Sequence, residues 1–301
     1  MIDFVTVDVF TDQQFGGNPL AVIPDARAIA EDRLQLIARE FNYSETTFVY
    51  PPDNPAHTAR VRIFTPTDEI PFAGHPNVGT AFVLGRGETV FGKPVGERMV
   101  FEEAAGLVEI GLLRQDHEIV GARLTAPQGL QVDDEIDIQT IADCVGLQPG
   151  DIATRVHPPR IVTVGLPMVV AELATLDSLA AARPDVSAFA KADERYWHRG
   201  DRLCTYLYVP TGDDRLRARM FAPLSNIFED PATGSAAAAL GAYLASFDPE
   251  PDGIRSLAIA QGVEMGRRSM IDVDIEKRGG IVESVRVAGR CMQVMQGRIS
   301  I

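Results

Sequence analysis

Gly74-His75-Pro76-Asn77-Val78-Gly79-Thr80-Ala81 has a counterpart about half a chain later, Glu229-Asp230-Pro231-Ala232-Thr233-Gly234-Ser235-Ala236. Each is preceded by a second matching piece, Arg62-Ile63-Phe64-Thr65-Pro66 in one case and Arg219-Met220-Phe221-Ala222-Pro223 in the other. Aligned, the two copies read Arg-x-Phe-x-Pro and then Pro-x-x-Gly-Thr/Ser-Ala, the second being two residues shorter between its halves. Chance rarely matches that many Gly, Pro and Phe positions in order. The pattern predicts a duplicated supersecondary unit and two similar lobes related by a pseudo-two-fold axis.

Each copy ends where a buried helix should begin. From Ala232 to Ala245 no residue carries a charge, and a helix apolar on every face belongs inside a core. Pro76 to Leu84 is likewise uncharged. Around them, apolar and β-branched runs predict strands at 2–10, 20–23, 46–50, 59–64, 98–102, 106–113, 118–124, 160–171, 203–209, 215–221, 256–260, 270–276 and 281–295. Further helices are expected at 28–41, 135–145 and 173–193, the last broken at Pro184. The fold class is therefore α+β: two pseudo-symmetric lobes, each a curled, mostly antiparallel sheet wrapped around a central buried helix. The expected lobes are 1–120, completed by a C-terminal strand at about 288–301, and 121–287. Leu124 to Gly129 supplies the turn chemistry for the passage between them.

Composition excludes several classes of function. A chain of 301 residues can bury two cores of about 100–150 residues each. A net charge of −14 with scattered Lys and Arg argues against nucleic acid, which needs a basic patch, and against anionic membranes. No stretch approaches the roughly 20 apolar residues of a membrane span, and Met1 to Phe10 lacks the basic start and apolar core of a signal peptide. The expected location is cytoplasmic. Cys144, Cys204 and Cys291 are odd in number and lack metal-type spacing, so they read as reduced, buried thiols, with no metal site.

The repeat also carries the candidate chemistry. Asp230 before Pro231 reads as a helix start, since Asp accepts bonds from free N–H groups and Pro suits the first helical position. His75-Pro76 stands at the matching place. Two helix starts, each projecting about half a positive charge and unpaired N–H donors, would clamp a carboxylate or phosphate if they faced one another. Gly79 and Gly234 would permit close backbone approach there. Each residue alone reads equally well as a cap or as packing; a histidine and an aspartate at matched positions predict a site between the lobes. Arg62 and Arg219 read as a repeated packing or salt-bridge pair, and His57, His117, His157 and His198 as structural. The shape of any pocket is left to loops such as 85–97 and 190–202.

Together with Gly17-Asn18-Pro19-Leu20-Ala21-Val22, Ser44-Glu45-Thr46-Thr47-Phe48 and Gln261-Gly262 through Met265-Gly266-Arg267, the repeat motifs resemble the phenazine-biosynthesis isomerase family, which shares the diaminopimelate epimerase fold. The matches run in order over nearly the whole chain. The resemblance implies a cofactor-independent isomerase, of the kind that moves a proton on trans-2,3-dihydro-3-hydroxyanthranilate, acting on a small carboxylated substrate; family members are commonly homodimers. By motif matching it implies Glu45, Asp230 and His75 as catalytic residues, and Gly74, Ser44, Thr233, Gly234, Ser235 and Asn18 as substrate-binding residues. A carboxylate partly desolvated in a cleft suits Glu45 for taking and returning a proton. The alternatives are an amino-acid epimerase or racemase and a non-catalytic small-carboxylate-binding protein. The epimerases of this fold use one thiol from each lobe, and none of the three cysteines lies in either repeat. No role for Gln261 to Arg267 beyond shaping a turn follows from the residues.

Overall fold

The computed structural model describes residues 1–198, 202–212 and 214–300; residue 301 of the expected C-terminal strand and residues 199–201 of the expected loop 190–202 lie outside them. The chain divides into two compact units, residues 1–125 with 288–301 and residues 126–287.

In the first unit the strand Asn18–Ile23 lies between Ile2–Val9, antiparallel with Val7 opposite Leu20, and Glu45–Tyr50, parallel with Leu20 beside Glu45. Ala59–Phe64 follows antiparallel, Arg98–Glu103 parallel, then Gly106–Gln115 and Glu118–Thr125 antiparallel. The long last strand, Ile281–Ile299, pairs with both Glu118–Thr125 and Ile2–Val9, which closes this sheet upon itself. Helix α1, Glu31–Phe41, buries Leu34 and Ala38 against Phe48, Phe64 and Ile23. Helix α2, Gly74–Gly85, is buried at every residue but one.

The second unit repeats the succession of pairings. Met168–Leu173 lies between Arg160–Thr163, antiparallel, and Thr205–Gly212, parallel. Arg215–Ala222 follows antiparallel, Gly253–Gln261 parallel and Ser269–Arg278 antiparallel. Helices α3 (Ile138–Val145), α4 (Leu176–Ala181) and α5 (Val186–Tyr196) supply a core built on Ile141, Leu179, Phe189 and their neighbours. Helix α6, Gly234–Ser246, is the buried counterpart of α2 and packs on Ser269–Arg278 and Arg160–Thr163. Among the described residues no helix is long and apolar enough to cross a membrane.

Two local expectations are corrected, and the break expected at Pro184 is present. The run 160–171 is two strands rather than one, because Gly165 at φ +144° turns the chain between them. The helical run 173–193 is broken around Pro184 as expected: α4 ends at Ala181, and α5 starts beyond the proline with Asp185 accepting from the Ala188 N–H. Asp230 is not a helix cap. It is the last residue of a short strand, Ile227–Asp230, paired to Met220, and α6 begins only at Gly234 with Thr233 as its N-cap residue. In the first unit the displacement is reversed: α2 begins at Gly74, ahead of Pro76.

Contact between α2 and its sheet depends on Gly79. A Cβ there would stand 2.6 Å from Leu20 Cδ2 and 2.7 Å from Val9 Cγ2. Overpacking costs about 1–3 kcal/mol, against a gain of about 1 kcal/mol when alanine replaces glycine in a helix. Gly79→Ala is therefore expected to lower the unfolding free energy by up to about 2 kcal/mol in denaturant titration; a raised value would show that the helix does not sit this close.

Candidate active site

Strand register brings the first group together. Because Leu20 lies beside Glu45 in the parallel pair, the starts of Asn18–Ile23 and Glu45–Tyr50 fall near one another. The first turn of α2 meets them there. His75 Nε2 lies 3.2 Å from Glu45 Oε2, and Asn18 Nδ2 lies 3.3 Å from His75 Nδ1. All three side chains are buried, Glu45 being the most accessible at 9%. With the Asn18 amide nitrogen donating to Nδ1, the neutral ring carries its proton on Nε2, on the side of the carboxylate. Burial pushes the His75 imidazole down to about 3, so it is neutral at physiological pH. The Nε2–Oε2 approach is a close polar contact without hydrogen-bond alignment. Gly74, also buried, opens α2 beside His75, and Ser44, half-buried, directly precedes Glu45.

The second unit assembles a different group at the repeat position. Thr233 Oγ1 donates to Asp230 Oδ2 at 2.5 Å. One side chain holds the segment between them: Gln261 Nε2 donates to Asp230 O at 2.7 Å and to Thr233 Oγ1 at 3.0 Å. Its Oε1 accepts from the Thr233 N–H at 3.2 Å and from the Tyr206 hydroxyl at 3.0 Å. Both donors and both acceptor sites of this fully buried amide are thus used. Burial first, and then the Asp230 charge, pushes the Tyr206 phenol upward, so it stays a neutral donor. Gly234 is buried at the start of α6, and Ser235 follows it half-buried.

Gln261, which holds this segment in place, is the residue that sequence reasoning missed, since it figures only in a motif with no derived role. Its neighbour Gly262 supplies the rest of that role. Gly262 sits at φ +69°, where a Cβ would stand 2.6 Å from Pro231 O and 2.6 Å from Arg267 O. The turn is closed by Arg267 N donating to Gly262 O at 3.0 Å, while Ser269 Oγ donates to Pro231 O at 2.7 Å. The motif thus seats the Asp230-to-Thr233 segment. A polar residue ending a strand beside a glycine was the signal available.

The remaining candidates are structural. Arg62 binds Glu31 and Glu69, and Arg219 binds Glu229 and the carbonyls of Leu179 and Ala182; each lies over the phenylalanine two residues on. Burial pushes the Cys144 thiol up to about 12 and raises Cys291 as well, which keeps both protonated and unreactive. Among the described residues no group of three or more His, Cys, Asp or Glu side chains is placed to hold a metal ion.

Comparison with known proteins shows the family of the chain. Residues 7–297 match the model of the phenazine biosynthesis-like protein family. An uncharacterised isomerase from Mesorhizobium japonicum is 38% identical, over 99% of both chains. The trans-2,3-dihydro-3-hydroxyanthranilate isomerase of Pseudomonas aeruginosa is 35% identical, over 98% of both. The crystal structure of the phenazine biosynthesis protein of the PhzF family from Bacillus anthracis superposes with a TM-score of 0.86 at 23% identity, covering 100% of this chain and 99% of that one, a likeness of fold. The chain is an isomerase and belongs to the phenazine biosynthesis-like protein family.

Proposed function

We propose that the protein is a cofactor-independent isomerase that shifts a proton on a small, carboxylated, cyclic or amino-acid-like substrate by general acid–base catalysis, with Glu45 as the group that moves the proton. The observation that carries this reading is a carboxylate set 3.2 Å from a neutral imidazole, both almost excluded from solvent. A buried carboxylate is a stronger base than an exposed one, and can return as an acid what it took as a base. In this reading His75 steadies the developing charge through Nε2–H. Asn18 keeps the ring turned, and Gly74 and Ser44 bound the site. Asp230 is the second proton-handling group, and Gly234 and Ser235 receive the substrate carboxylate at the start of α6, beside Thr233, whose own N–H is held by Gln261. Similarity to an enzyme named for trans-2,3-dihydro-3-hydroxyanthranilate makes that compound the first substrate to try. The same succession of strands in both units supports a duplicated origin for the chain. The rival amino-acid epimerase reading, built on paired thiols, is disfavoured by Cys144 and Cys291, whose burial keeps them protonated.

Two substitutions separate the roles. Glu45→Gln keeps size and polarity but not the ability to accept a proton, so turnover of trans-2,3-dihydro-3-hydroxyanthranilate should fall at least about 100-fold while binding persists. Solvent deuterium should appear at the accepting carbon of the product formed by the native enzyme. Near-native conversion by the glutamine variant would remove Glu45 from the chemistry.

Asp230→Asn retains an acceptor for the Thr233 hydroxyl, and the Gln261 bond to its backbone carbonyl does not depend on the side chain. Stability should change by less than about 1 kcal/mol, measured by thermal unfolding, while turnover drops steeply. Undiminished turnover would leave Asp230 a purely structural residue.

A further inference from the structure

Helix α2 meets the strand that carries Glu45 through two polar contacts. One is the approach of His75 to Glu45. The other is a hydrogen bond between two hydroxyls, Thr47 Oγ1 and Thr80 Oγ1, 2.8 Å apart. Both threonines are completely buried. Residues of a strand alternate between its faces, so Glu45 and Thr47 share the face turned to α2, while Phe48 packs with Leu34 of α1 on the other. From Glu45 to Thr47 the strand advances about 7 Å, and from His75 to Thr80 the helix advances about 7.5 Å. The two contacts therefore sit side by side along elements that run in the same sense. One contact alone would let the helix pivot or slide; a second, more than a turn further on, fixes both separation and register.

Packing by itself does not explain the pair. Valine fills the space of threonine without a polar atom, and a buried hydroxyl left unbonded is destabilising. What the hydroxyls supply is a shorter reach. Apolar carbons settle about 3.5–4.0 Å apart, whereas these oxygens stand at 2.8 Å. Gly79, directly before Thr80, already brings the helix backbone close enough that a Cβ would stand 2.6 Å from Leu20 Cδ2, and Leu20 lies beside Glu45 in the sheet. The hydroxyl bond holds the helix in that close position.

The second unit places a hydroxyl at the same point of its sheet. Thr47 lies opposite Ile63, and Tyr206 lies opposite Met220; Ile63 and Met220 are the middle residues of the repeated Arg-x-Phe motif. The Tyr206 hydroxyl donates to Gln261 Oε1, and Gln261 holds the segment leading into α6. In each unit the residue facing the middle of that motif thus sends a buried hydroxyl toward whatever fixes the start of the central helix.

We infer that Thr47 and Thr80 are positioning residues: their hydroxyl bond sets the distance and register of α2 against the strand Glu45–Tyr50, and with them the approach of His75 to Glu45. The consequence for turnover rests on the proposed roles of those two side chains; the consequence for their geometry does not.

Two double variants separate positioning from stability. Thr47→Val with Thr80→Val replaces both partners by apolar groups of the same shape, so its melting temperature should stay close to native, above that of either single valine variant, which leaves one hydroxyl unbonded. Its helix should stand about 1 Å further from the strand. Thr47→Ser with Thr80→Ser keeps the hydroxyls but loses two buried methyl groups, so it should melt lower than native and keep the geometry. Without substrate, the 15N resonance of His75 Nε2 should shift in the double valine variant and return to its native position in the double serine variant. With trans-2,3-dihydro-3-hydroxyanthranilate, kcat should fall about 10- to 100-fold in the double valine variant with KM little changed, and recover in the serine variant. Activity and stability would then rank the two variants in opposite orders, which a merely structural role cannot produce. Should the double valine variant not fold, Thr80→Ala against Thr80→Ser carries the same contrast. A native His75 resonance in the double valine variant, or one that serine does not restore, would overturn the inference. Normal conversion by Glu45→Gln beside a His75 resonance that answers to the hydroxyls would instead remove only the proposed base, so the two readings fail separately.

Discussion

Each unit must bury one end of a helix that has no charged face, and much of the site follows from that constraint. A helix start leaves backbone N–H groups without intrahelical partners. In water they are solvated, but beneath a sheet each unsatisfied one costs about 1–3 kcal/mol. Short polar side chains line the places where α2 and α6 begin: Asn18, His75 and Asn77 in the first unit, Asp230, Thr233 and Gln261 in the second, where Gln261 Oε1 accepts from the Thr233 N–H. Elsewhere the buried cores are largely aliphatic and aromatic. Groups able to exchange protons are thus concentrated where low solvent access makes their protonation states sensitive to small changes.

The residues around α2 and α6 show what the chain reveals about itself and what it withholds. Absence of charge from Ala232 to Ala245 was enough to bury α6, because nothing else can accommodate a helix apolar on all sides. Alternating and β-branched runs located most strands to within a few residues. The errors arose where a long-range contact overrides a local signal. Asp230-Pro231 carries a strong local helix-start signal, yet pairing with Met220 keeps Asp230 in a strand and Gln261 holds its carbonyl there. Both partners lie too far along the chain for any local pattern to register them. Gly165-Leu166-Pro167, by contrast, was legible turn chemistry inside a run read as one strand. Motif matching singled out Glu45, His75 and Asn18, but their contact depends on the parallel register of Leu20 with Glu45, which no residue pattern specifies.

The two units also show how one supersecondary plan comes to hold unlike chemistry. At the matched repeat position the first unit has His75 inside the first turn of α2, while the second has Asp230 outside α6, at the end of a strand. A helix start carries partial positive charge. It disfavours a second positive charge on an imidazole placed within the turn, adding to the desolvation that already holds His75 neutral, whereas it attracts negative charge brought up to it from outside. A shift of a few residues in where the helix begins therefore suits one copy to a neutral hydrogen-bond donor and the other to a carboxylate or a bound anion. Had both helices begun at the same repeat position, the same local field would have acted on both side chains, and the two units would have offered one kind of group twice.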